Sequence, residues 1–414
     1  MAESQQSQEA SAGGTHCPKA DSVGFEDDHD QTAQEIPVNE VPENEALSLT
    51  RITGRIFFTD LANKQLRTIS PEVLSLDWTI WKSCTHQPPE AHKALLDQNH
   101  VQDICEEPGE LKCLLSLDLS NNPFSCSLLP VISKLQSLCQ LRLYKKTCTK
   151  SQCRSVNASI MLNCLAFLTM SQKNRFENFP KELCHIANLE IIDLEQNLFS
   201  LIPEEVGFLT NLVKLFLAFN NLSSIPPTLQ RCQKLAVQDL SHNLLHKLPP
   251  ALKNLTEMRT AANSLEKFPH QICCWLSLSR VYLRNTGLRT VPRSFTRLTS
   301  VRILDLSENC FDEIPKGIGT MKYLEVLALD GNQIQEIPAE VKELTNLKRL
   351  SLSENQFSIF PKEIFLLESL ERLYLGQDTG IKSTSLPEDI SKLQNLKELH
   401  MENNCLECLP TAIG

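Results

Sequence analysis

The chain has 414 residues, 41% of them hydrophobic and 22% charged, which is ordinary for a folded protein. Its 50 acidic and 40 basic side chains leave a formal charge of −10. That balance argues against nucleic-acid binding, which needs a basic stripe, and against electrostatic docking to anionic membranes. No run approaches the ~20 apolar residues of a membrane span. MAESQQSQEASAGG has neither the basic nor the apolar region of a secretory leader. The expectation is a cytoplasmic chain with no membrane insertion. Most of its 16 cysteines are then free thiols used as small hydrophobes, and their scattered spacing outlines no disulfide framework.

Residues 1–50 are acidic and poor in large apolar side chains. Lys19 is the only Lys or Arg before Arg51, whereas Glu26, Asp27, Asp28 and Asp30 cluster. Such a segment cannot bury enough surface to offset its ordering entropy, so a disordered acidic arm is predicted, with an acidic docking arm as the alternative. Residues 51–112 are a degenerate repeat or an N-terminal cap region. Within them DLANKQLRTISPEVLSL, Asp60 to Leu76, reads as one decayed copy of the unit that follows. The stretch DWTIWKSCTHQPPEAHKALLDQNHVQDICEEPGE fits no register and is either a degraded repeat or a loop.

From residue 113 to 414 one period dominates. An apolar residue followed by Pro recurs at Phe179-Pro180, Ile202-Pro203, Ile225-Pro226, Leu248-Pro249, Phe268-Pro269 and Val291-Pro292. It continues at Ile314-Pro315, Ile337-Pro338, Phe360-Pro361, Leu386-Pro387 and Leu409-Pro410. The step is 23 residues except for one of 20, Pro249 to Pro269, and one of 26, Pro361 to Pro387. A fixed period of that size carrying L-x-x-L-x-L-x-x-N-x-L is the signature of a leucine-rich repeat. The predicted fold is an α/β leucine-rich repeat solenoid: a right-handed horseshoe with a parallel concave sheet and short convex helices.

One unit, LEIIDLEQNLFSLIPEEVGFL, carries the physical logic. Leu189, Ile192 and Leu194 alternate inward from a short strand. Asn197 follows where the chain leaves the strand, and its amide can satisfy backbone groups of the neighbouring turn. These asparagines form a ladder: Asn122, Asn197, Asn220, Asn243, Asn263, Asn309, Asn332, Asn355 and Asn404. Pro203 suits the first position of a helical turn, and Val206 and Leu209 close the core from the convex side. Gln238 stands at an inward position where Leu is expected. Thr286 replaces a ladder Asn, Lys146 occupies another ladder position, and the unit ending at Asn174 is stretched. The extra residues of the long step fall in GQDTGIKSTSLP and should bulge from the edge.

Over residues 176–410, IIDLEQNLFSLIPEEVGFLTNL, DLSHNLLHKLP, RNTGLRTVP and LYLGQDTGIKSTSLPEDISKLQNLKELHMENN resemble the leucine-rich repeat and IQ domain-containing proteins. The resemblance is thin over 51–112 and absent over 1–50. It implies an intracellular array followed by an IQ motif, a basic amphipathic helix that recruits calmodulin. Here the sequence ends at Gly414, which reads as a shortened isoform or an incomplete gene model. The Ile334-Gln335 pair lies inside a repeat, lacks following arginines and is stopped by Pro338, so calmodulin is not expected as a partner.

Strand residues pointing away from the core define the concave face. One column there runs Asp193, Phe216, Asp239, Arg259, Tyr282, Asp305, Ala328, Ser351, Tyr374 and His400. Ile191, Glu195, Phe219, Arg280, Arg284, Arg349 and Arg372 flank it. Aromatic and arginine side chains among carboxylates are the composition of binding hot spots. The candidate protein-binding residues are therefore Ile191, Asp193, Phe216, Phe219, Asp239, Arg259, Arg280, Tyr282, Arg284, Asp305, Arg349, Arg372, Tyr374 and His400. Cys405 and Cys408 have zinc-like spacing, but no second pair follows. No catalytic motif, cofactor fingerprint or metal-ligand set occurs, so neither an enzyme nor a cofactor is expected. The function read from the sequence is a cytoplasmic adaptor that grips a globular protein, with fold-level analogy to signalling regulators. The alternative is a structural part of a cytoskeletal or ciliary assembly.

Overall fold

The computed structural model describes residues 50–53, 56–69, 91–101, 103–104, 114–123, 135–143, 164–170, 176–248, 252–265, 267–378 and 382–411. The predicted arm lies outside them apart from Thr50, as do Lys146 and Asn174.

The described chain builds one long sheet. It opens with β1 (Thr50–Thr53) antiparallel to β2 (Ile56–Asp60). All later pairings are parallel. β2 pairs with β4 (Ala91–Leu95), β4 with β6 (Leu114–Asp118), and then β7 (Gln140–Arg142), β8 (Phe167–Thr169) and β9 (Ile191–Asp193) follow in order. β3 (Thr68–Ile69) and β5 (Asp103–Ile104) form a separate two-stranded pair. The regular array continues through β10 (Lys214–Phe216), β11 (Val237–Asp239), β12 (Glu257–Arg259), β13 (Arg280–Tyr282) and β14 (Ile303–Asp305). It ends with β15 (Val326–Ala328), β16 (Arg349–Ser351), β17 (Arg372–Tyr374) and β18 (Glu398–His400).

Each strand of the regular array is three residues long because only the middle residue must point inward. Ile192, Leu215, Met258, Val281, Leu304, Leu327, Leu350 and Leu373 stack in register and are buried. Burying each such side chain contributes about 1.5–3 kcal/mol, and the neighbouring unit supplies the other wall. Among the described residues the return side is made of single 3-10 turns such as Glu204–Phe208, not of the predicted α-helices. A proline caps most of them: Pro203 sits at φ −70, and Val206 and Leu209 close the core beneath it. One turn is too short for the i→i+4 ladder of an α-helix, so the tighter i→i+3 bond closes it.

The asparagines form the predicted ladder. Asn220 donates to the Leu194 and Leu217 carbonyls at 3.0 Å each and accepts the Phe199 N–H at 3.1 Å. Every rung thereby ties its own turn to the preceding unit. The ladder also reaches further back than the sequence pattern showed. Asn99 donates to Leu61 and Leu96 carbonyls at 2.8 and 3.0 Å and accepts the Lys64 and Leu66 N–H groups. Leu96, Asn99 and Val101 therefore form a repeat unit with β4, inside the stretch that matched no register. Ala94 stands at its inward position and is fully buried.

The irregular steps leave strand pairing intact. Val237 aligns with Glu257 across the short step, and Arg372 aligns with Glu398 across the long one. The ladder also survives both: Asn263 still bonds Leu240 and Leu245, and Asn404 still bonds Leu375 and Ser383, with the three extra residues between those two partners. Thr286 substitutes for its asparagine only in part: its hydroxyl reaches the Leu283 carbonyl at 2.8 Å, and its N–H bonds Asn309 Oδ1.

The short unit carries a polar fault in the core. Gln238 is 1% exposed and Thr260 is fully buried, yet Gln238 Nε2 and Thr260 Oγ1 have no hydrogen-bond partner. A buried unpaired donor costs about 1–3 kcal/mol. Gln238→Leu should therefore stabilise the chain by about 1 kcal/mol, read as a higher urea midpoint. A lower midpoint would show that the amide is bonded.

Among the described free thiols Cys184, Cys232 and Cys273 pack as small hydrophobes, whereas Cys164, Cys274, Cys405 and Cys408 are exposed. Cys184 and Cys232 are free and buried, and burial pushes them up to about 12 and about 11, so both stay protonated at neutral pH. Cys405 and Cys408 are exposed, and among the described residues no cluster of three or more His, Cys, Asp or Glu could hold a metal. No described helix is long and apolar enough to cross a membrane.

Candidate functional site

Strand alternation places two columns on the solvent face of the sheet. The first residue of each strand supplies Ile191, Arg280, Arg349 and Arg372. The third supplies Asp193, Phe216, Asp239, Arg259, Tyr282, Asp305, Tyr374 and His400. Of the predicted set only Arg284 and Phe219 lie outside these columns.

Phe219 is in the turn after β10, in the left-handed region at φ 57. The residue before each rung repeats this conformation at Gln196, His242, Glu308 and Glu354. The turn imposes it so that the asparagine can face both neighbours, although it costs a non-glycine residue about 1–2 kcal/mol. Phe219 is 49% exposed and stacks on His242, with ring centroids 4.0 Å apart. It forms a ridge beside the sheet instead of belonging to the strand face.

The aspartates have a local duty. Asp118, Asp193, Asp239 and Asp305 each accept the N–H of the residue two positions on, at 2.9–3.2 Å. That bond turns the chain out of the strand. Asp239 is only 8% exposed and lies 4.0 Å from Arg259 Nη1. These carboxylates are built into the strand exit, and the accessible part of the face carries aromatic and arginine side chains together with the paired carboxylates Glu308 and Glu398.

Two clusters carry that part. In the first, buried Glu257 holds Arg259 at 2.6 Å and Arg280 at 3.0 Å, and the Arg259 guanidinium lies 5.1 Å from the Tyr282 ring centroid. Ion pairing outweighs burial there, so the Glu257 carboxyl is held below its ordinary value. Arg284 pairs with Glu308 beside it. In the second, Arg349 lies 4.7 Å from the Tyr374 ring, and Tyr374 stacks on His400 at 4.5 Å. Arg372 pairs with Glu398 at 3.0 Å, and the Tyr374 hydroxyl donates to the same carboxylate at 3.4 Å. Four strand spacings separate Tyr282 from Tyr374, roughly 19 Å. Asp330 lies between the clusters. Burial raises its pKa, while the Ser351 hydroxyl, 2.6 Å away, works in the opposite direction.

Glu195 was placed on the face from sequence, but its environment was not legible there. Burial first, then Asp193 and Asp239, push its carboxyl up to about 7, with Arg259 opposing. The folded form holds this proton more tightly than the unfolded chain does. Its contribution to stability is therefore full below the ordinary value of 4.5 and is lost as pH rises through about 7. Glu195→Gln should melt higher than the parent at pH 8, and the difference should disappear by about pH 4. A parallel offset across that range would refute the assignment.

A parallel sheet of three-residue strands, 3-10 returns and an asparagine ladder define a leucine-rich repeat solenoid. The sequence comparisons agree: the model described as "Leucine-rich repeat region" matches residues 291–407, and "Leucine Rich Repeat" matches 113–135 and 211–232. In particular, the chain is similar to leucine-rich repeat and IQ domain-containing protein 4 of Mus musculus, at 42% identity over 173 residues. That match covers 36% of this chain and about a quarter, 26%, of the relative. A leucine-rich repeat protein of Leptospira interrogans aligns with a TM-score of 0.62 at 27% identity over 86% of each chain. An internalin of Listeria monocytogenes aligns with a TM-score of 0.65 at 17% identity, covering 81% of this chain and 90% of its own, and shares the fold alone. Folds of this kind typically serve as non-catalytic protein-interaction scaffolds, and the matching models describe repeats and no enzyme.

Proposed function

We propose that this protein is a non-catalytic cytoplasmic adaptor that grips a globular partner on the solvent face of its sheet. The observation that carries the reading is the pair of arginine–tyrosine clusters on β12–β13 and β16–β18. Each tyrosine is held by a cation beside its ring, so little side-chain entropy remains to be lost on binding. Aromatic and arginine anchors provide most interface energy when a partner excludes water around them. A spacing of roughly 19 Å suits a patch of standard interface size. A place in signalling extends the reading by analogy of fold.

Site-specific photocrosslinking tests it. A benzophenone amino acid at position 282 or 374 should label one common polypeptide in cells. The same group at 323 or 342, on the return side, should not label it. Labelling confined to 323 and 342 would place the binding face elsewhere.

A further inference from the structure

Outside the sheet face, an open cavity of about 400 Å³ lies between the return segments that carry the 3-10 turns Arg293–Arg297 and Ile318–Thr320. Its origin is a local departure from the repeat. The other described 3-10 turns of the return side span five residues and follow a proline cap, as at Pro292 and Pro338. Here the turn has three residues, and its cap is Gly317 in the left-handed region at φ 95. A Cβ on Gly317 would stand 2.5 Å from Thr296 Cγ2, so both the conformation and the close approach require glycine. Lys316 and Gly317 are thereby left outside the turn and form one lip of the cavity.

The floor is apolar, with buried Phe311 and Pro315 beside Pro292. The rim carries three exposed cations, Arg289, Arg293 and Lys316, against one exposed carboxylate, Glu313. Lys316 pairs with Glu313 at 3.4 Å across an exposed surface, where such a pair is worth little. Among the described residues no carboxylate lies within ion-pair distance of Arg289 or Arg293. In a chain of net charge −10, two such guanidiniums over an apolar floor make a local inversion of charge. Screening over about 8 Å lets that local charge act despite the acidic remainder.

We propose that this cavity is a second protein-binding site, independent of the sheet face, for an acidic peptide segment. One apolar side chain of the segment seats on half-buried Val291 and Pro292, above buried Phe311 and Pro315, and flanking carboxylates lie on Arg289 and Arg293. The guanidinium fork suits carboxylates in paired geometry. The exposed rim favours a peptide over a small metabolite, because a small-molecule pocket encloses most of its ligand's surface.

The test is fluorescence anisotropy of the full chain with a fluorescein-labelled hexapeptide, EDFDEE. Saturable binding is expected. It should weaken more than about tenfold in the double variant Arg289→Glu, Arg293→Glu, and about fivefold when the peptide's phenylalanine becomes serine. Both arginines are exposed, so the melting midpoint should not move. The double variant Arg289→Lys, Arg293→Lys should keep part of the affinity, and Tyr282→Ala with Tyr374→Ala should keep all of it. Three results would overturn the proposal: no saturable binding, equal affinity in the charge-reversed variant, or loss with the tyrosine pair. Displacement of the peptide by phenyl phosphate that itself saturates the cavity would assign it to a small organic anion and overturn it equally.

Discussion

Replacing Tyr282 and Tyr374 together with alanine should weaken capture of the photocrosslinked partner by about a hundred- to a thousandfold, with little change in melting. Anchors of this kind cost about 2 kcal/mol or more each when truncated, and 1.4 kcal/mol is a factor of ten. The pair occupies two separate clusters, so the losses should nearly add. Each ring is half-buried among polar neighbours and points away from the core, so folding loses surface contacts with Arg259, Arg349 and His400 and the exposed Tyr374–Glu398 hydrogen bond. Titration of immobilised partner measures the affinity, and thermal melting of the same samples measures the fold. Full retention of binding alongside an unchanged melt would remove the sheet face from the mechanism. Lys342→Ala, in the 3-10 turn Ala339–Glu343, is the matching control and should alter neither reading.

The second large effect is on stability. Asn309 is a heavily used rung: its Oδ1 accepts the Thr286 N–H, the Thr286 hydroxyl and the Leu288 N–H, each at 3.0 Å. Its Nδ2 donates to Leu283, Leu306 and Ser307 carbonyls at 2.8–3.0 Å. Asn309→Ala strands several buried backbone groups, each costing about 1–3 kcal/mol. A loss of about 3–4 kcal/mol is expected, less than the plain sum because the turn can relax. Asn346, exposed and bonded only to the Lys322 carbonyl at 2.7 Å, should lose no more than about 0.5 kcal/mol on the same change. Denaturant melts of the two variants decide the matter: equal midpoints would show that the ladder does not hold the units together.

A third consequence concerns the acidic residues. From sequence, Asp193, Asp239 and Asp305 read as contact residues, yet each closes the strand exit through a backbone N–H. Substitution there would disturb the turn and the face at once. They are poor probes of binding, as are Arg259 and Arg280, which neutralise buried Glu257, whereas Tyr282 and Tyr374 are cleaner ones.

The period of 23 residues was enough by itself to determine the solenoid, the inward columns and most of the ladder. Those features depend on contacts that every unit makes with an equivalent copy of itself, so any one unit reports on all of them. The decayed unit around Asn99 escaped because Ala94 weakens the apolar pattern, while the rung it completes depends only on Asn99 and the chain on either side. Other features belong to the tertiary structure alone. The left-handed turn that lifts Phe219 onto His242 is set by the rung after it, and residue type does not announce it. Arg259 meets Tyr282, and Arg349 meets Tyr374, only because parallel pairing sets residues 23 or 25 apart on adjacent strands. The cavity beside Gly317 exists because one return turn starts late against a neighbour that does not. Such features depend on how two different units fit side by side, and a repeat pattern averages that difference away.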